Sequence, residues 1–494
     1  MLGQLSRAFS RHATFSWFAT FVVGLICRTD ELGISSVVRA LRLDANSYDS
    51  LDHMLHSTAW SAAGLRRAWY ALVARTSRLF VYAGRYVLVS DGCKVAKEGV
   101  RMPGVKLLHQ ESETVSKPEF VFGHMFGAVG VMAGELGRCL CVPLKVNMQD
   151  GMRAAAGWDG TDRVGVSAES HVVQSVRCAF EAARGLGRRC LLAMDRYFLT
   201  VPALRTLAEL NERAEFDGLG AGFVHVVTKA KGNFVAYLPP RPRPKGTRGR
   251  PPKKGPKVVV SKVLGSLVYE PVEAIVGAEG KRWLHAATLD LVWGKGLWVP
   301  VRVVVVLGPP WGGRAQILVT TDRTLSARQV IEVYCSRWKI ECTFRDMKVD
   351  LCGFGYRHWS KAMPRLDRFA PKGAPDRLEA VDDPHDRELI LGSYEATERH
   401  VAVAVVALGL VMILVQSEPA NGDVAYAEFS RTPKAGAVSV GTMRRYLRDR
   451  VSEAVAGLVS EPMMRFIREH AVGEGGYAPK AKGDGAKGAQ VRAA

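Results

Sequence analysis

Phe80-Val-Tyr-Ala-Gly-Arg-Tyr-Val-Leu-Val-Ser-Asp91 is an apolar run, rich in β-branched and aromatic residues, with an acid at its end. Such a run reads as a buried strand. A second run, Cys190-Leu-Leu-Ala-Met-Asp195, has the same form. Between them, Phe120 to Met132 and Arg138 to Val146 read as two further strands, antiparallel neighbours, and Ser167 to Arg184 reads as a helix with Val172, Val173, Val176 and Phe180 on one side. After the second run, Leu204 to Leu210 starts a helix and Gly222 to Thr228 is a fifth strand.

Three strands, helix, strand, helix, strand is the order of a ribonuclease-H-like α/β core, a mixed sheet with helices on both faces. The chain of 494 residues is long enough for two to four domains. Residues 1–84 read as a helical N-terminal DNA-binding region, with a plain helical packing domain as the alternative; in it Val37, Val38, Leu41 and Leu43 precede an Asn46-Ser-Tyr-Asp turn and a second helix carries Leu51, Met54, Leu55, Trp60 and Leu65. The core spans 85–228, is interrupted by a β-rich insertion at 229–322, and resumes over 323–420. Residues 361–387 read as a loop, Val401 to Val415 as a buried core helix, and 421–494 as a C-terminal region whose tail from Gly473 is disordered.

The charge balance points to the partner. A net charge of +20 and a pI near 9.7 favour a polyanion, with nucleic acid first and an anionic membrane surface second. Between Asp217 and Glu270 no acidic residue occurs, while Arg241, Arg243, Lys245, Arg248, Arg250, Lys253 and Lys254 crowd a Pro-rich stretch that can form neither helix nor central strand. Basic residues in an extended loop, rather than on an amphipathic helix, argue against the membrane. Within the loop, Arg248-Gly249-Arg250-Pro251 looks like the core of an AT-hook, whose arginines enter a narrow A·T minor groove; contact with phosphate needs only the charge. The nine cysteines are odd in number and contain no CxxC pair, so neither a disulfide framework nor a zinc site is indicated, and a reducing cytoplasm is the expected setting. The apolar runs Phe15 to Cys27 and Val401 to Val415 lack, respectively, a cleavage site and the roughly 20 residues needed to span a bilayer.

The chemistry concentrates on a helix predicted from near Ser326 to about Asp350. Tyr334, Arg337, Glu341 and Lys348 stand at offsets of zero, three, seven and fourteen residues. At about 100° per residue they fall within an arc of roughly 60°. Val333, Ile340, Phe344 and Met347 form the adjacent apolar face. The plain alternative is an i,i+4 pair of Arg337 with Glu341 on a solvated helix. For Asp91 and Asp195 it is a cap on the following turn.

Tyr-x2-Arg-x3-Glu-x6-Lys resembles the YREK pattern of a large group of bacterial insertion-sequence transposases with a DDE catalytic triad. Leu88-Val-Ser-Asp91 resembles the first-strand Asp of that group and Leu192-Ala-Met-Asp195-Arg-Tyr-Phe its fourth-strand Asp, and the likeness extends over about 86–420. It implies that Asp91, Asp195 and Glu341 are catalytic and bind two Mg²⁺ ions, with Mn²⁺ able to substitute. Hard cations suit carboxylate oxygens, and a metal pair can activate water and stabilise a leaving oxygen. It further implies that Arg337 and Lys348 contact DNA phosphates, that Tyr334 contacts the DNA end, and that the substrates are terminal inverted repeats and target DNA, bound by a homodimer or larger assembly in the bacterial cytoplasm. An insertion tryptophan, among Trp283, Trp293, Trp298 and Trp311, would stack a flipped base in some members. His124 reads as a core residue. The rival readings are a related metal-dependent nuclease or resolvase, and a catalytically silent DNA-binding regulator.

Overall fold

The computed structural model describes the whole chain except residues 111–117, 159–164, 243–249, 278–279, 309–313, 372, 418–423, 425–437, 456–461 and 472–494. The predicted tail from Gly473 therefore lies outside the described residues.

One large mixed sheet organises the molecule. Its strands are β1 (Val81–Tyr82), β2 (Arg85–Ala96), β3 (Lys106–His109), β4 (Phe120–Ala133), β5 (Leu140–Met148), β6 (Cys190–Met194) and β7 (Val224–Lys229), then β8 (Val235–Tyr237), β9 (Lys257–Val259), β10 (Glu270–Ile275), β11 (Lys281–Trp293), β12 (Val299–Leu307) and β13 (Gln316–Thr320). At the centre the order is β5-β4-β2-β6-β7: β4 is antiparallel to β5 and β2, while β2, β6 and β7 run parallel. The parallel steps need crossover connections, and helices supply them. The helix α5 (His171–Leu186) leads into β6, and α6 (Val201–Phe216), opened by Thr200 as side-chain cap and Pro202 in its first turn, leads from β6 to β7. Every residue of β6 is buried, as a parallel strand covered on both faces must be.

The insertion does not build a separate sheet. Strand β13 pairs antiparallel with β7, and β12, β11 and β10 follow outward. Along β12 the faces alternate: Val304 and Val306 join the main core, whereas Val301, Val303 and Val305 join a smaller one with Phe234, Ala236, Val260, Ile317 and Val319.

The predicted strand ending at Asp91 is longer than expected. Strand β2 runs on to Ala96, because β4 continues the antiparallel ladder from Leu88↔Val131 to Ala96↔Gly123 after the parallel ladder with β6 has stopped at Ser90↔Met194. Gly123 allows this: a Cβ there would lie 2.0 Å from the Val95 carbonyl oxygen.

The N-terminal helices α1 (His12–Cys27), α2 (Ile34–Ala40), α3 (Asn46–His56) and α4 (Ala62–Thr76) pack into the same hydrophobic core as the sheet, through Phe18, Phe21, Leu25, Val37, Leu51, Trp69 and Leu72. The expected turn at Asn46-Ser-Tyr-Asp is instead the first turn of α3, capped by the Asp44 carboxylate, which accepts from the Asn46 and Ser47 amides.

The predicted core helix at 401–415 is the inner part of a 34-residue helix, Pro384–Ser417, which takes the end of the predicted loop as its first turn. By length and composition it could cross a membrane, but 78% of its apolar window is buried inside the protein. Its Arg399 donates to the carbonyls of Leu55, Ser57 and Trp60, tying it to the N-terminal helices.

Candidate active site

The segment predicted as one helix is three. Helix α7 (Ala327–Ser336) opens with a capping box between Ser326 and Gln329. Helix α8 (Lys339–Arg345) follows, and Asp346–Asp350 forms a π turn. At the first junction the hydrogen bonds tighten to i→i−3: Arg337 N donates to Tyr334 O, Ile340 N to Arg337 O and Glu341 N to Trp338 O. At the second they widen, with Leu351 N donating to Asp346 O. Three-residue turns advance about 120° per residue, so the junction rotates Glu341 relative to Tyr334 beyond the position a uniform helix would give. The apolar face holds: Val333, Ile340 and Met347 are buried and Phe344 packs against the core. Helix α7 lies against β6, β7, β10 and β13, and α8 against β2 and β5, so their junction crosses the middle of the sheet.

There the acidic residues meet. Arg337 donates from Nη1 to Asp91 Oδ2 at 2.8 Å and from Nη2 to Glu341 Oε1 at 2.9 Å. The guanidinium thus links a β2 carboxylate to the α8 carboxylate, the bidentate role for which arginine is suited. Asp91 follows Ser90 and Asp195 follows Met194, the last parallel pair, so the two acids stand side by side at the point where β6 ends. Asp195 opens a 3-10 turn but makes no side-chain cap bond to it, leaving its carboxylate for another task. Its backbone carbonyl is held by Thr228 Oγ1 at 3.0 Å.

The electrostatics report a crowded cluster. Burial pushes the Asp91 carboxyl up to about 6. Arg337 and the Gly92 amide pull the other way, while the charges of Asp195 and Glu341 push it further up. Burial opposes the Arg337 charge, but Asp91, Tyr334 and Glu341 outweigh it and hold that pKa above the usual value. Burial drives the Tyr334 phenol to about 12, with Arg337 lowering it and Asp195 raising it. Tyr334, Arg337, Glu341, Asp91 and Asp195 are therefore one interacting group. Lys348, on the π turn, donates from Nζ to the Lys94 carbonyl at 2.9 Å, three residues beyond Asp91 on β2.

Other predicted residues lie elsewhere. Arg250 is exposed in the loop between β8 and β9, whereas Arg248 and Trp311 lie outside the described residues. Trp283 is exposed on β11, Trp293 stacks on Phe234, and Trp298 packs edge-on against Tyr237 under Lys254. His124 is fully buried, bonded to the Tyr356 hydroxyl and the Pro103 carbonyl, as a core residue should be.

A supporting residue had escaped sequence reasoning. Buried Glu332 on α7 accepts from the Tyr82 hydroxyl, Arg328 and the Ile275 amide, and so fixes the helix against β1 and β10. Its only sequence signal was an acid on the apolar side of an amphipathic helix.

A family model described as DDE superfamily endonuclease matches residues 4–275, more than half of the chain. The chain belongs to the DDE superfamily endonucleases. The match contains Asp91 and Asp195 and starts before α1, ahead of the stretch that carries the YREK-type resemblance. It stops before Glu341. No curated protein matches the chain. Membership places the protein among DNA-cutting enzymes of the nuclease and transposase kind, which generally use divalent metals.

Proposed function

We propose that this DDE endonuclease is a YREK-type transposase that cuts DNA at the ends of an insertion sequence and joins the freed 3′-hydroxyl ends to target DNA. The observation that carries the reading is the Arg337 bridge between Asp91 and Glu341, with Asp195 and Tyr334 beside it. A solvated i,i+4 pair would not recruit a strand carboxylate from 246 residues away.

Asp91, Asp195 and Glu341 fit a pair of hard divalent ions. They offer carboxylate oxygens only, and Asp195 keeps its carboxylate free of the cap role that its position invites. When bound, two Mg²⁺ ions would supply an activated water and stabilise the leaving oxygen. The three carboxylates orient that chemistry from two strands and a helix whose spacing is set by the sheet. With the three carboxylates holding the ions, Arg337 would be free to contact a DNA phosphate in place of Asp91 and Glu341. Lys348, which donates to the Lys94 carbonyl beside the cluster, supplies a second phosphate contact. Tyr334 stays protonated far above neutral pH and acts as a hydrogen-bond donor to the DNA end. The basic stretch around Arg248 and Arg250 adds sequence-independent affinity, and the N-terminal helices read the element ends. Two ends must be paired, so the active form is a homodimer or larger on DNA, working in the bacterial cytoplasm.

The test is cleavage of labelled DNA carrying the inverted repeats that flank this gene, in Mg²⁺ and in Mn²⁺, beside Glu341→Gln. Nicks at the repeat ends that need metal and vanish in the variant, followed by joining to a second duplex, are the expected result. Nicks without joining would reduce the reading to a nuclease, and binding without any nick would reduce it to a DNA-binding regulator.

A further inference from the structure

We propose that Asp52, His56 and His358 form a second metal site, separate from the carboxylate cluster, which takes a Zn²⁺-class ion and clamps the N-terminal helices to the segment that follows the π turn. One potential ligand atom from each residue lies within 4.8 Å of the other two. Asp52 and His56 are four residues apart on α3 and share a face of it, with Asp52 Oδ2 and His56 Nε2 4.0 Å apart. His358 enters from beyond the π turn, its ring 6.2 Å from that of His56 and nearly perpendicular to it.

A second observation makes this more than a surface pair. The Nε2 of His358 is sealed from solvent and has no hydrogen-bond partner. Its neighbours include the Tyr356 ring, stacked parallel, and the His400 ring, and these set its orientation. Buried polar atoms are as a rule satisfied, and an orphan points to a missing ion or water. Coordination gives the imidazole a strong partner, and the aromatic packing pre-orients the ring for it.

The donor set selects the ion. Two imidazoles and one carboxylate suit Zn²⁺ or Co²⁺, whereas Mg²⁺ prefers an all-oxygen shell. Tetrahedral Zn²⁺ with bonds near 2.0–2.2 Å places its ligand atoms about 3.3 Å apart. The present spacing closes to that by a movement of roughly an ångström. His56 is the last residue of α3 and its side chain is 42% exposed, so it has the freedom to make that movement. Three protein ligands leave the fourth position for water, so the ion exchanges with solvent.

The experiment uses full-length protein carrying Glu341→Gln, which weakens the carboxylate cluster as a competing site. Zn²⁺ is titrated calorimetrically in saturating Mg²⁺, the visible bands of bound Co²⁺ are recorded, and the melting midpoint is followed with and without chelator. One Zn²⁺ per chain that Mg²⁺ does not displace, tetrahedral Co²⁺ bands, and a midpoint raised by Zn²⁺ are expected. His56→Ala, a surface change that leaves the chelated protein melting as before, lowers the affinity by at least ~100-fold, beyond what loss of a supporting outer contact does, and abolishes the Zn²⁺-dependent rise. Asp52→Asn provides a second surface variant with the same expectation, so nothing hinges on folding of a His358 variant. Equal Zn²⁺ affinity in the parent and His56→Ala, as a site built from thiols elsewhere would give, overturns the proposal. So does displacement by Mg²⁺, or failure to bind Zn²⁺ at all.

Discussion

Replacing Asp91 by asparagine should abolish cleavage and at the same time make the metal-free protein more stable. The Asp91 carboxyl is raised from an ordinary 3.8 to about 6, with burial as the main cause and Asp195 and Glu341 adding to it despite the opposing pull of Arg337. Roughly two pK units at 1.36 kcal/mol each make the charged form about 3 kcal/mol uphill in the folded chain. The sign follows from proton linkage. Between pH 4 and 6 the folded protein holds a proton that the unfolded chain has lost, so stability falls as pH rises through that window and stays reduced above it. Asparagine has the shape of the neutral acid and escapes this loss. For 494 residues the unfolding entropy is about 1 kcal/mol per kelvin, so the gain at pH 8 corresponds to about 3 °C in the melting midpoint. The assay is a melting series in chelator from pH 4 to pH 8 on both proteins. Their midpoints should coincide near pH 4 and separate to about 3 °C by pH 7. Mg²⁺ at a hundred times its dissociation constant should then stabilise the parent by about 2.7 kcal/mol and leave Asp91→Asn nearly unmoved. A variant that melts at or below the parent at pH 8 would refute the reasoning, because the Arg337 pair would then outweigh the desolvation of Asp91.

Three further outcomes are expected. Arg337→Lys should fail to restore the cleavage lost in Arg337→Ala, with both reduced on the order of 100-fold in a nicking assay, since a point charge cannot grip a phosphate with two parallel hydrogen bonds as a guanidinium fork does. Glu332→Ala should lower stability by about 3 kcal/mol in denaturant unfolding, because it strands the Ile275 amide and the Tyr82 hydroxyl. Arg248→Ala with Arg250→Ala should make the plot of log affinity against log salt shallower by about 2 in a DNA-binding titration while leaving catalytic nicking of bound DNA intact.

Much of this fold was legible because its strands are buried on both faces and therefore read as unbroken apolar runs. Cys190–Met194 and Val224–Lys229 fell where the patterns placed them. Sequence reasoning misplaced features that depend on a neighbour. Nothing in Val87 to Ala96 says where β2 stops, since its length is set by the ladder to β4 and by Gly123. Likewise Asn46 was read as turn chemistry, whereas the deciding group was the Asp44 carboxylate two residues earlier. The catalytic candidates were legible by residue type and spacing, but not the contacts between them: the Arg337 fork spans 246 residues to Asp91, and no local pattern encodes it. Glu332 was missed for the same reason, as its partners come from β1 and β10.

The interrupted helix shows how a sequence motif can rest on incomplete geometry. A uniform helix through Tyr334, Arg337, Glu341 and Lys348 predicts a shared face, yet the chain tightens at Arg337 and widens after Arg345. Tightening carries Arg337 to a position from which its two amino groups face different elements, β2 and α8. Widening lets the π turn set Lys348 over the Lys94 carbonyl rather than beside Glu341. Such departures from regular winding cost hydrogen-bond quality and are common at functional sites. Here no proline or glycine interrupts 326–350, so no local sequence feature accounts for the change in winding. The packing of α7 on β6, β7 and β10 and of α8 on β2 and β5 supplies the constraint. The motif spacing therefore nominates the side chains, while the sheet beneath dictates which of them meet and how.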